Sequence, residues 1–254
     1  MQNTVRDFFQ TLIEGVQPLD KKNLSIHITF ISIPVLVLLL LNLGSSRTFS
    51  FIFGNLHVVK GFSSNQFMFW AQAYMTGCTF LFLMIFPVIL FTISPVKMEY
   101  AYGMRIRGTA RHFSVSLLVI AVMIPVLWFS FSMSNLNKFY PIYKPISMSD
   151  WILYECIYLP LFIPTEFFFR GVVLYRLEKF FPGRGVWIAF IAYAIGHIYK
   201  PLPEALVSII AGYVLGMLSL QCRSIWPGVV IHAGIALLAD IFAMIQSGYI
   251  HKLI

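Results

Sequence analysis

Apolar residues gather into seven stretches along this chain, at Leu24–Leu43, Phe67–Ile93, Phe113–Met133, Trp151–Tyr175, Val186–Tyr199, Ala205–Leu220 and Ile225–Ile245. Polar residues concentrate in the short connections between them. About 20 apolar residues cross a bilayer as a helix, and none of the stretches keeps the strict alternation of a half-buried strand. The fifth and sixth are short and are expected to be tilted, partly re-entrant or shielded by their neighbours. Ahead of the first stretch, Val5, Phe8, Phe9, Leu12, Ile13 and Val16 recur at helical spacing, with Arg6, Asp7, Gln10, Thr11 and Glu14 on the opposite face. That pattern predicts an amphipathic helix lying in the headgroup region or packed on the bundle. The expected fold is an all-α polytopic transmembrane bundle of about seven spans, with an interfacial helix at the N-terminus.

Composition supports this class. Hydrophobic residues make up 59% of the 254 positions and charged residues 11%, against roughly 45–50% and about 25% in a soluble domain. Spans and short connections account for the whole chain, so residues 1–254 read as one membrane domain. Eleven of the eighteen Lys and Arg fall on one side of the seven-span arrangement and six on the other, with Arg170 inside a span. The richer side is expected to be cytoplasmic, with the N-terminus inside and the C-terminus outside. The first apolar run lacks a small-residue cleavage site and reads as a retained span. The net charge of +8 is then mainly a topology signal, with some attraction to anionic headgroups of the bilayer. The basic residues lie in several short loops, the densest block being Lys97–Arg111, and this distribution argues against a nucleic-acid partner. Cys78, Cys156 and Cys222 have no C-x-x-C spacing and suggest neither a disulfide framework nor a zinc site.

The chemistry centres on Glu166 and Arg170, four residues apart inside the fourth apolar stretch. An ionised side chain at the centre of a spanning helix costs about 2.5–3.5 kcal/mol. At i and i+4 the two share a face, so they can pair and point into the bundle. An intramembrane ionisable residue is a functional candidate by default, a structural ion pair being the alternative. His197 lies in the fifth stretch with Tyr193 one turn before it, and His232 lies in the seventh. Buried polar groups in hydrocarbon need partners, so a glutamate and two histidines from three segments are expected to meet at one cavity. Asp240 falls two turns beyond His232 on the same face; it could orient the imidazole through an intermediate, and the favoured reading is a residue near the outer interface. Glu155 lies about 16 Å along the helix axis from Glu166 at 1.5 Å per residue, too far for direct cooperation. The spacing Ala211-Gly212 with Gly216 allows close helix approach.

The order of a Glu-x-x-x-Arg-Gly helix, a Tyr-x-x-x-His helix, a small-residue helix and a Pro-x-x-x-x-His-Ala helix resembles the CPBP intramembrane proteases. That family includes prenyl-protein (CAAX) processing endopeptidases and bacterial relatives linked to bacteriocin processing and immunity. The resemblance covers roughly residues 159–245; the first 150 residues match it only in being hydrophobic. By this resemblance Glu166 and Arg170 match the second Glu and the Arg of a Glu-Glu-x-x-x-Arg motif. Tyr193 and His197 match a Phe-x-x-x-His motif, and His232 matches the histidine of His-x-x-x-Asn. Thr165 stands where the first, water-activating glutamate is expected, and Ala236 where an oxyanion-binding asparagine is expected. The resemblance implies an intramembrane endopeptidase in a bacterial inner membrane, acting on membrane-associated or lipidated peptides. Glu166, His197 and His232 would be catalytic, with Arg170 and Tyr193 supporting. The alternatives are a catalytically impaired relative serving as a binding or immunity protein and, further off, a transporter. The donor set leaves both a metal-free glutamate mechanism and a zinc site of two His and one Glu open.

Overall fold

The computed structural model describes residues 21–93, 103–104, 106, 110–133, 136 and 139–252. The amphipathic helix expected at 5–16 and most of the basic block 97–111 lie outside these residues. Every described segment of regular structure is helical. Helix α1 runs Lys21–Leu43 and turns by 59° into α2, Ser46–Phe53. The turn at Ser45 caps α2, its hydroxyl accepting from the Thr48 backbone N–H, which satisfies one of the orphan donors of a helix start. Helix α3 spans Ser64–Thr92 and opens on a capping box between Ser63 and Gln66. Helix α4 is Ala110–Met133, and α5 is the 33-residue run Met148–Phe180. Helix α6, Gly185–Ile195, is followed by α7, Leu202–Cys222, and α8, Trp226–Gln246.

Five helices (α3, α4, α5, α7 and α8) are long and apolar enough to cross a membrane, and the bent α1–α2 pair gives a sixth if it is one span. The protein is an integral membrane protein built as an all-α bundle. Of the seven expected spans, the fifth, already short in the sequence, falls outside this set of helices. Helix α6 has 11 residues, about 16 Å at 1.5 Å per residue and so about half a hydrocarbon core. It stops at Ile195, and Gly196 opens the non-helical stretch that carries His197, Tyr199 and Lys200. The apolar run Val186–Tyr199 therefore contains a short helix and the turn that follows it, with Gly196 at the boundary.

Helix α5 lies at the centre: 67% of its spanning window is buried, against 6% for α4 on the periphery. Polar links fix it to its neighbours. Thr76 of α3 donates to the Ile157 carbonyl at 3.1 Å, and Arg176 Nε donates to Thr29 Oγ1 of α1 at 2.9 Å. Such groups must be satisfied internally where no water is at hand. Helix α5 is also irregular. Pro160 and Pro164 each lack an N–H, and the backbone passes through a 3₁₀ turn at Leu159–Leu161 and then a π-helical stretch at Phe167–Leu174. Pi-helical turns inside α-helices occur frequently at functional sites. This one begins one residue after Glu166 and contains Arg170.

Candidate active site

Glu166 is fully buried and Arg170 is 2% exposed. They form the ion pair expected from their spacing, Arg170 Nη1 lying 3.0 Å from Glu166 Oε1. The same Oε1 lies 3.0 Å from Nδ1 of His232 on α8. A carboxylate can only accept, so Nδ1 carries the proton in this contact and Nε2 of a neutral ring is left as an acceptor. Room for the glutamate comes from Gly228 on α8: a Cβ there would sit 2.7 Å from Glu166 Oε2. Oε2 itself has no hydrogen-bond partner among the described residues, and neither does Arg170 Nη2.

His197 reaches the same place by the short route of α6. Its Nδ1 lies 3.1 Å from the Tyr193 carbonyl, which fixes Nδ1 as the donor and leaves its Nε2 bare. The His197 and His232 rings are 6.4 Å apart between centroids and only 23° from parallel. Tyr193 stands between them, its ring centroid 4.5 Å from that of His197 and its hydroxyl 3.4 Å from His232 Nε2. The Arg170 guanidinium lies 4.0 Å over the Tyr193 ring. Glu166, Arg170, Tyr193, His197 and His232 are thus contiguous, although they come from α5, α6, the turn after α6, and α8.

Access differs sharply across the site. Glu166 is sealed, while the His232 side chain is 17% exposed and His197 is half-buried. The imidazoles therefore face the accessible side of the site, with the carboxylate behind them. Thr165, one residue before Glu166, donates its hydroxyl to the Leu161 carbonyl at 2.8 Å, a local back-bond common for helical threonines. Ala236, one turn after His232, packs among Phe162, Tyr158 and their neighbours. A zinc set of Glu166, His197 and His232 does not fit this arrangement. Glu166 and His232 are hydrogen-bonded to each other through Oε1 and Nδ1 instead of converging on a third body. Among the described residues no three His, Cys, Asp or Glu side chains are grouped to hold a metal.

Two features were not read from the sequence. One is an aromatic column in which Tyr143, Tyr154, Tyr158 and Phe162 follow one another at centroid distances of 4.6, 5.7 and 5.5 Å. Phe162 then lies 4.2 Å from the His232 ring and props it against Glu166. The spacing 154, 158, 162 on α5 was the available signal. The other is a second polar group at the 139–147 end of the bundle. Lys200 pairs with Glu204 at 3.2 Å and donates to the Tyr140 hydroxyl at 2.9 Å, which donates in turn to Glu204 at 2.7 Å. Burial, with Glu204 alongside, pushes the Tyr140 phenol well above its ordinary range. Asp240 is 1% exposed, and its Oδ1, like Oε2 of Glu155, is buried without a hydrogen-bond partner among the described residues.

Residues 148–238 match the family model described as type II CAAX prenyl endopeptidase, Rce1-like. The matched segment runs from the start of α5 into α8 and contains every residue of the site. No curated protein and no solved structure matches the chain.

Proposed function

We propose that this chain, Rce1-like over residues 148–238, is an intramembrane endopeptidase that hydrolyses a peptide bond of membrane-associated, lipidated substrates. The observation that carries the reading is the pair of 3.0 Å contacts from Glu166 Oε1 to Arg170 and to His232 Nδ1. A buried carboxylate that orients an imidazole through Nδ1 leaves Nε2 as a base aimed away from it, the logic of carboxylate–histidine pairs in hydrolases. Glu166 is the orienting residue in this scheme, because its Oε1 is already committed to Arg170 Nη1 and His232 Nδ1. Arg170 holds it in place through their ion pair. His232 Nε2 takes a proton from water, and His197, parallel to it across the site, positions that water from the other side. The histidine then returns the proton to the leaving amine, so the cycle closes without net proton change.

Prenylated proteins are the best-known substrates of the matched family, and an apolar bundle suits a lipidated chain. The basic asymmetry supports a cytoplasmic N-terminus, and the family resemblance supports a bacterial inner membrane. A second reading is favoured by one observation. Thr165 has its hydroxyl tied to the Leu161 carbonyl and Ala236 offers no donor, which is what a binding relative without catalysis would keep. Incubating the purified protein in nanodiscs with farnesylated and unmodified peptides, and reading products by mass spectrometry, separates the two. Products that vanish in Glu166→Gln support the protease, whereas binding without products supports the second reading.

A further inference from the structure

We infer that the Tyr193 hydroxyl is a catalytic donor, holding His232 Nε2 in the resting site and turning to the scissile carbonyl oxygen once that nitrogen is protonated. This rests on the protease reading above. With Nδ1 of His232 donating to Glu166, Nε2 of the neutral ring is an acceptor, and the hydroxyl 3.4 Å away supplies the proton of that hydrogen bond. The contact is at the long limit for a hydrogen bond, so exchanging it for a water costs little.

The ring that carries this hydroxyl is clamped. The Arg170 guanidinium lies 4.0 Å over it, Phe169 meets it edge-on at 5.4 Å, and a Cβ on Gly212 of α7 would come within 3.0 Å of its Cδ1. Tyr193 is 3% exposed. Its carbonyl also fixes His197, so one residue registers both imidazoles. A donor held this firmly beside the base meets the requirement for stabilising a developing oxyanion, which is preorganisation.

The steps balance. Water oxygen bonds to the carbonyl carbon while one water proton passes to His232 Nε2, and the carbonyl π electrons move to oxygen. Nε2 is then a donor, its bond to the tyrosine oxygen reverses in sense, and the hydroxyl proton is free to turn to the oxyanion. No proton leaves Tyr193. When the C–N bond breaks, Nε2–H passes to the amine and the hydroxyl returns to Nε2. Ala236, one turn along from His232, has no group to take this part.

Tyr193→Phe removes one oxygen and keeps the ring. Steady-state cleavage, thermal unfolding and affinity for a peptide phosphonate mimicking the tetrahedral intermediate are measured beside wild type. Loss of one oxyanion donor costs about 10²–10³ in kcat, so kcat should fall by that factor with KM nearly unchanged. Phosphonate affinity should drop in parallel, while the unfolding midpoint stays. A kcat within about threefold of wild type would overturn the inference and leave the protease reading standing, as would unaltered phosphonate affinity. A variant that fails to fold would assign the hydroxyl to structure and overturn it too. A wild type that cleaves nothing removes both.

Discussion

Oε1 of Glu166 lies 3.0 Å from Nδ1 of His232, joining the centre of α5 to the first turns of α8. The contact is possible only because both helices are shaped for it. Helix α5 passes into a π-helical stretch just after Glu166, and α8 offers Gly228 where any side chain would collide with the carboxylate. Two helices from distant parts of the chain are thereby tied by one polar contact inside the bundle.

Gly228→Ala tests that fit. The added methyl would need to lie 2.7 Å from Glu166 Oε2, and the glutamate can yield only by disturbing its contacts to Arg170 and His232. Overpacking of a filled site costs about 1–3 kcal/mol. The variant should lose cleavage by more than about tenfold and show a lower unfolding midpoint. Gly77→Ala, at a helical position with nothing within 4 Å, is the control and should behave as wild type in both assays.

The Glu166–Arg170 pair yields a second prediction. Removing one partner of a buried ion pair costs about 3–5 kcal/mol, whereas replacing both with apolar residues is often neutral. Arg170→Met should therefore destabilise the protein strongly, and Glu166→Leu combined with Arg170→Met should recover much of the loss in thermal unfolding. The double variant should remain inactive, because His232 has lost its acceptor. Recovery of both stability and cleavage would show that the pair is structural alone.

How much of this was legible beforehand differs from residue to residue. The ion pair followed from i, i+4 spacing on an apolar helix, and the convergence of His197 and His232 on Glu166 follows the principle that buried polar groups seek partners. The end of α6 was only partly readable: Gly196 is a residue that commonly follows a helix end, but Ile198 and Tyr199 beyond it carry the apolar run past the helix. The burial of Glu166 behind the imidazoles was hidden for another reason: it depends on Gly228, a residue 62 positions away in sequence. Asp240 shows the limit from the other side. Its spacing from His232 suggested a shared face, while its actual neighbour is Glu155 on α5.

Orientation is checked at the two ends of α5. Lys144 and Lys179 are exposed and lie just before and near the end of this 33-residue helix. In a background lacking Cys78, Cys156 and Cys222, Lys144→Cys should react with an impermeant thiol reagent in intact cells. Lys179→Cys should react only after permeabilisation. The opposite pattern would invert the proposed topology.

If catalysis is weak because Thr165 and Ala236 replace an acid and an amide, restoring them should raise it. Thr165→Glu breaks the hydroxyl bond to the Leu161 carbonyl and adds a carboxylate beside Glu166. With Ala236→Asn it should increase the cleavage rate by at least about tenfold, within the range of one added acid–base group. A double variant slower than wild type would mean that the native site is complete without them.

The most direct test of the central claim is single-turnover cleavage by wild type and His232→Gln in nanodiscs, using a panel of farnesylated and membrane-embedded peptides with products identified by mass spectrometry. His232→Gln keeps a polar side chain of similar reach but has no titratable nitrogen to take the proton. The account predicts a defined internal cut by wild type and a rate at least about 10²-fold lower in the variant, with unfolding midpoints alike. Equal rates in the two proteins would contradict it.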